Sequence, residues 1–134
     1  PHQDSQAGWN SYAKFFVSAL ISIDESTLEN GCLEISGGHS SSKLYDSWRP
    51  ISDQNMKNMT FIPIPTKPGD IIFFDSFTPH KSASNRSKNP RRMYYATYNG
   101  LSAGDNLNKY YADKHKSYPP DIDRIKGKKY VFKV

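Results

Sequence analysis

The feature that most limits what this chain can fold into is the spacing of its breaks. Apolar stretches of four to ten residues are each cut short by a turn signal, and none is long enough for a large helix. Phe15 to Asp24 is apolar, partly alternating and rich in β-branched and aromatic residues, and Asn30-Gly31 turns the chain after it. Cys32 to Ser36 alternates until Gly37-Gly38 breaks it. Thr60 to Ile64 alternates again, and Pro68-Gly69-Asp70 turns into Ile71 to Phe74. Arg92 to Tyr98 is the last such segment. Short period-two segments divided by Gly, Pro, Asn and Asp are the pattern of a sandwich or barrel. Residues 39 to 58 read as a polar, irregular excursion and 82 to 90 as a polar loop. One short helix is predicted around Leu107 to His115, stopped by Pro119-Pro120.

With 134 residues the chain is long enough for one domain and too short for two ordinary ones. It divides into a core over 1–98 and a basic, Tyr- and Pro-containing C-terminal segment over 99–134. Residues 101–134 hold eight Lys/Arg against four Asp, which is +4 of the net +5. The two signs alternate there, which fits a solvated surface segment better than a nucleic-acid contact. No run of 18 apolar residues exists to span a membrane as a helix. Cys32 is the single cysteine, so a disulfide framework and a thiolate-rich zinc site are excluded, and a reducing, cytoplasmic setting is expected.

The residues with chemical potential begin at the second position. His2 and Asp4 are two apart, and on a strand such residues point to the same face. One more histidine from a distant strand would complete a 2-His-1-carboxylate set, whose open positions suit Fe(II) and O₂. A surface loop is the other reading of so short a triplet. His80 follows the apolar strand Ile71 to Asp75, and Arg91 comes eleven residues later. An arginine in a buried site grips a carboxylate with two N–H groups, and 2-oxoglutarate has a suitable distal carboxylate. Arg92 is the adjacent rival and faces the other way on a strand. His and Asp donors also accept Mn, Co, Ni and Zn, so the residues alone leave the metal open.

Four motifs occur in order: His2-Gln3-Asp4; Asn30-Gly31-Cys32-Leu33 followed by Gly37-Gly38-His39; Gly69-Asp70-Ile71-Ile72-Phe73-Phe74; and His80-Lys81-Ser82 through Asn85 and Ser87 to Arg91. Together, over about residues 1 to 98, they resemble the phytanoyl-CoA dioxygenase family. The resemblance implies a mainly β fold with a double-stranded β-helix (jelly-roll, cupin-like) core. Family members carry helices and strands ahead of the H-x-D pair, so N-terminal elements of the full fold are expected to be lacking, with apolar surface and strand edges left open.

The same resemblance implies His2, Asp4 and His80 as ligands of Fe(II), with Arg91 and Ser82 binding the distal carboxylate of the co-substrate 2-oxoglutarate. It implies O₂-dependent hydroxylation with release of succinate and CO₂, and the retained Asp4 argues against halogenation. Tyr110-Tyr111-Ala112-Asp113-Lys114, with Tyr118-Pro119-Pro120 after it, resembles the ending of bacterial members that act on small polar metabolites. A small phosphonate or an acyl derivative is the expected substrate. The alternative is a non-catalytic cupin-like module that binds a metal or small acid without turnover.

Trp9 and Tyr12 follow Asp4 closely and are expected at the mouth of the site, lining the substrate pocket, with ordinary packing as the competing reading. His39 reads as structural and His115 as solvated. Asn85 is expected to organise its own loop, Asp70 to shape its turn, and Cys32 to be a buried small residue. Asp75 could orient a metal ligand from behind.

Overall fold

The computed structural model describes residues 1–130. The last four residues of the 99–134 segment, Lys133 among them, lie outside the described residues. Among the described residues six strands form: β1 Phe16–Ser22, β2 Leu33–Ser36, β3 Phe61–Ile64, β4 Ile71–Asp75, β5 His80–Ser82 and β6 Met93–Asn99. They make two three-stranded antiparallel sheets, ordered β4-β1-β6 and β3-β2-β5. Every predicted strand segment is present. β5 has three residues, too few for periodicity to reveal. In the excursion over 39–58 only a short helix, α1 (Asp53–Met56), is added, and the predicted tail helix is α2, Leu107–Ser117.

β1 is the centre of its sheet. Ser18 stands opposite Phe74 and Thr97, Leu20 opposite Ile72 and Tyr95, and Ser22 opposite Met93. Alternation therefore puts all of these on one inner face. That face meets β2 through a small core of Leu20, Leu33 and Phe74, with Ile35, Ile72 and Met93 packed against it. Each fully buried side chain of this size contributes about 1.5–3 kcal/mol, so three of them make a modest anchor. Much of the remaining interior is polar: Gln3, Gln6, Ser18, Ser22 and Ser76 are all buried. Such groups are tolerated only when hydrogen-bonded, and here each has at least one partner.

The other face of the β4-β1-β6 sheet is open. Ile71, Phe73, Tyr94 and Tyr98 all point there by register and are 50%, 67%, 58% and 62% exposed. A contiguous apolar face of this kind is ordinarily covered in a folded protein.

The turns follow their sequence signals. Asn30 is buried and ties its loop with its amide on Glu25 O, 2.8 Å, and its Oδ1 on Thr27 N, 2.7 Å. Gly31 adopts φ +80, and a Cβ there would lie 2.2 Å from Ala83 O, so only glycine lets this turn pass the loop after β5. Asp70 accepts from Lys67 N at 2.8 Å, and Asn85 holds its loop by bonds to Ser87 N and Asn89 O. Cys32 is 2% exposed. Among the described residues, no helix is long and apolar enough to cross a membrane.

Candidate functional site

His2 and His80 face each other across an isolated antiparallel bridge. Each backbone N–H donates to the other's carbonyl, both at 3.0 Å, and the imidazole centroids are 4.3 Å apart. Asp4 does not continue a strand from His2, as the two-residue spacing predicts. It opens a 3-10 turn, Asp4–Ala7. The turn is forced by two buried glutamines. Gln3 donates from Nε2 to Lys43 O at 2.8 Å and Phe77 O at 2.6 Å, and accepts at Oε1 from Tyr45 N at 2.9 Å. Gln6 accepts from Gln3 N at 2.7 Å and donates to the carbonyls of Asp46 and Arg49. Thus the middle residue of the triplet points into the protein, and the chain folds back so that Asp4 still meets both histidines.

Asp4 Oδ1 is 3.6 Å from His2 Nε2 and 3.6 Å from His80 Nε2. One donor atom from each of His2, Asp4 and His80 lies within 4.8 Å of the others. Metal bonds of about 2.1 Å to imidazole and carboxylate set neighbouring donors about 3–4 Å apart, so the set has the right size for an ion. His80 Nδ1 donates to Thr78 O at 2.9 Å, which leaves the Nε2 lone pair aimed at the cluster. Burial pushes the His80 imidazole down, and His2 acts in the same sense against the pull of Asp4, so the neutral, metal-binding form is favoured. Ser18 Oγ donates to the other Asp4 oxygen at 3.1 Å and lies 3.3 Å from Thr97 Oγ1.

Arg91 and Arg92 part company as their adjacency predicts. Arg92 is turned outward onto Asp24, with Nε at 2.9 Å, Nη2 at 2.8 Å and its backbone N–H at 2.7 Å. Those bonds hold the Asp24 carboxyl down at about 2. Arg91 is half-buried and its Nε has no hydrogen-bond partner among the described residues. An arginine N–H buried without an acceptor is costly, and an anionic group beside it would satisfy it. Its charge reaches the Cys32 thiol and the Tyr95 phenol. Tyr95 lies on the inner face of β6, half-exposed, and its phenol is raised by desolvation first and then by Asp4, against Arg91. Tyr95 is thus within electrostatic reach of both the cluster and Arg91. Ser82 shares a face of β5 with His80, opposite Leu33, and is exposed. A donor set of two imidazoles and one carboxylate, with an unused buried guanidinium N–H in the same domain, fits both Fe(II) and a keto-acid co-substrate with a distal carboxylate.

The phytanoyl-CoA dioxygenase (PhyH) family model matches residues 1–93, which hold all of these groups. The chain belongs to that family. It is similar to a 2-aminoethylphosphonate dioxygenase of uncultured bacterium HF130_AEPn_1, at 35% identity over 131 residues, 96% of this chain and 50% of that protein. It is also similar to a methylphosphonate hydroxylase of Gimesia maris, at 37% identity over 130 residues, 96% of this chain and 49% of that protein. The chain spans about half the length of the curated relatives it matches. The crystal structure of EvdO2 from Micromonospora carbonacea var. aurantiaca complexed with 2-oxoglutarate aligns with a TM-score of 0.57 at 24% identity, covering 72% of this chain and 42% of that one. That likeness speaks to the fold and agrees with the expected jelly roll.

In this PhyH-family chain a cavity of about 640 Å³ opens beside His2 and Asp4. Trp9 and Tyr12 both line it. Trp9 also packs edge-on against Phe16, with ring centroids 5.2 Å apart. Gly8 has φ +80, and a Cβ there would sit 2.2 Å from Trp48, whose ring forms another part of the wall. The far wall is α2. Although every residue of α2 except the half-buried Tyr110 is exposed, as expected of a solvated tail, the helix closes one side of the site.

His39 is structural in the way expected, and Asp75 serves it rather than a metal ligand. His39 Nε2 lies 3.1 Å from Asp75 Oδ1, and Thr78 and Ser41 complete the cluster. Desolvation pushes the Asp75 carboxyl up, but Ser41, His39, Thr78 and the Phe77 N–H outweigh it and hold it below its usual range. His115 is exposed and lies 3.1 Å from Asp123. Ser18, Tyr95 and Thr97 have no motif of their own in the sequence. Only the pairing register of β1 with β6 brings them to the cluster.

Proposed function

We propose that this protein is an Fe(II)- and 2-oxoglutarate-dependent dioxygenase that hydroxylates a small organic substrate, with small phosphonates as the first class to test. The observation that carries this is the convergence of His2, Asp4 and His80 donor atoms within 4.8 Å, with Tyr95 in electrostatic reach of both Asp4 and Arg91, whose buried Nε N–H is unused. The matched relatives named for 2-aminoethylphosphonate and methylphosphonate support the substrate class.

His2 and His80 would hold the iron through Nε2, and Asp4 through one carboxylate oxygen. Ser18 holds the other Asp4 oxygen by a hydrogen bond, which limits the carboxylate's rotation. Bound iron and 2-oxoglutarate supply the activation of O₂, with succinate and CO₂ as co-products. Arg91 would pair with the distal carboxylate of 2-oxoglutarate, and Ser82, on the same strand face as His80, would add a hydroxyl. Trp9, Tyr12 and Trp48 give the substrate cavity walls that exclude water from one side.

The test is succinate release from the protein supplied with Fe(II), 2-oxoglutarate and O₂, with methylphosphonate or 2-aminoethylphosphonate added in turn. Substrate-dependent succinate that disappears in Asp4→Ala and His80→Ala is the expected result. Full turnover in His80→Ala would remove the assignment.

A further inference from the structure

We propose that α2 is the recognition wall of this site and that Lys114 is the counter-ion for a compact oxyanion, of the phosphonate class, at the end of the substrate remote from the metal cluster. The inference rests on the dioxygenase reading for the position of the reacting end. The rest comes from the helix itself.

A helix laid against a protein ordinarily turns its apolar stripe inward. α2 turns a polar one toward the cavity: Tyr110, Asp113, Lys114 and Ser117 all line it. They recur at i, i+3, i+4 and i+7, one face of a helix. The helix is held in place by its contacts with the segment that follows Asp4. Tyr12 Oη donates to Asp113 Oδ2 at 2.8 Å, Asn106 Nδ2 donates to Tyr12 O at 3.0 Å, and the Tyr12 and Tyr110 rings meet edge-on at 5.6 Å.

Charge on that face is unevenly settled. Asp113 is already matched, by Lys109 Nζ at 2.7 Å and by Tyr12. Among the described residues, Lys114 is the one Lys or Arg that lines the cavity. Among the described residues it meets no carboxylate within ion-pair distance. Its ammonium donates to Tyr110 Oη at 3.2 Å, one helical turn back, which holds it along the wall. A cation steadied by a phenol and left without an anion among the described residues, lining the same cavity as His2 and Asp4, fits a substrate with a small anionic head and a reactive carbon beyond it. Its counterpart on the metal side is Asp4, so an anionic head is steered away from that carboxylate toward α2.

The experiment uses the protein loaded with Mn(II), a redox-quiet stand-in that His and Asp donors accept, with 2-oxoglutarate and without O₂. Methylphosphonate is titrated by calorimetry, and its phosphorus NMR line is followed for broadening by Mn(II). Lys114→Met should weaken methylphosphonate binding by roughly tenfold to a hundredfold, the usual loss of one charge-assisted bond. Lys114→Arg should stay within about threefold, because the charge is kept. Lys116→Met, on the same helix but away from the cavity, should bind as the parent does. Unchanged binding in Lys114→Met would overturn the inference, as would equal losses in Lys114→Met and Lys116→Met. Tight binding of propionate with refusal of methylphosphonate would overturn the phosphonate class. Failure of the dioxygenase reading looks different: Fe(II) and 2-oxoglutarate would give no keto-acid charge-transfer band, while phosphonate binding that depends on Lys114 would still support the role of α2.

Discussion

The residue between the two proposed ligands of the H-x-D pair has no part in binding a metal, yet Gln3 should be among the least replaceable positions in the chain. It is fully buried, and its side chain makes three hydrogen bonds to backbone groups. Gln3→Ala removes all three and leaves two carbonyls and one N–H without partners. At about 1 kcal/mol net for each neutral bond the loss is about 3 kcal/mol, and the space left behind adds about 1 kcal/mol more. Against a total stability of about 5–15 kcal/mol this is a large share. With a urea slope of about 1–3 kcal/mol per M, the unfolding midpoint should fall by roughly 2 M. Gln3→Glu sharpens the test. It is nearly the same shape, but its carboxylate would face the Lys43 and Phe77 carbonyl oxygens, so it should be at least as damaging as Gln3→Ala. Urea unfolding followed by circular dichroism measures both. A midpoint shift below about 0.5 M for Gln3→Ala, or a Gln3→Glu protein close to the parent, would refute the view that Gln3 staples the metal segment to the fold.

Other expectations follow from single contacts. Ser18→Ala removes the hydrogen bond to Asp4, so metal affinity should drop about tenfold with the fold retained; competition with a chelator measures it, and parental affinity would count against the contact. Arg91→Met should raise the 2-oxoglutarate concentration needed for half-saturation by about tenfold or more. Arg92→Met should leave it unchanged, because that guanidinium is committed to Asp24; equal effects in the two variants would contradict the assignment. Tyr12 gives a pH test. Desolvation first, then its bond to Asp113, pushes its hydroxyl from 10.0 up to about 12. A raised pKa means that the stabilisation is fully present below pH 10 and is lost as pH rises through about 12. The Trp9 ring sits 6.5 Å from Tyr110 of α2, so tryptophan fluorescence should report loosening of α2 in that window, and Tyr12→Phe should lack the transition.

How much of this was legible in the sequence depended on the kind of feature. Strands with a period of two and clear turns were readable: β1, β2, β3, β4 and β6 lie where their patterns predict. β5 was not, because three residues carry no period. His2, Asp4, His80 and Arg91 were readable as residue types at meaningful spacing, and the structure brings the first three together. The route was misread. Spacing alone favours a strand over residues 2–4, whereas the buried amides of Gln3 and Gln6 turn the chain instead. Ser18, Thr97 and Tyr95 depend on strand register, which no local pattern encodes. The polar face of α2 was hidden for a related reason. An alternating basic tail reads as solvated, and only its docking on Tyr12 reveals that it walls a cavity.

The most direct test of the central claim is anaerobic addition of Fe(II) and then 2-oxoglutarate to the purified protein, followed by visible absorption. The account predicts the charge-transfer band of a metal-chelated keto acid, absent in His80→Ala and needing more 2-oxoglutarate in Arg91→Met. A folded protein that binds the metal but never gives the band would contradict it.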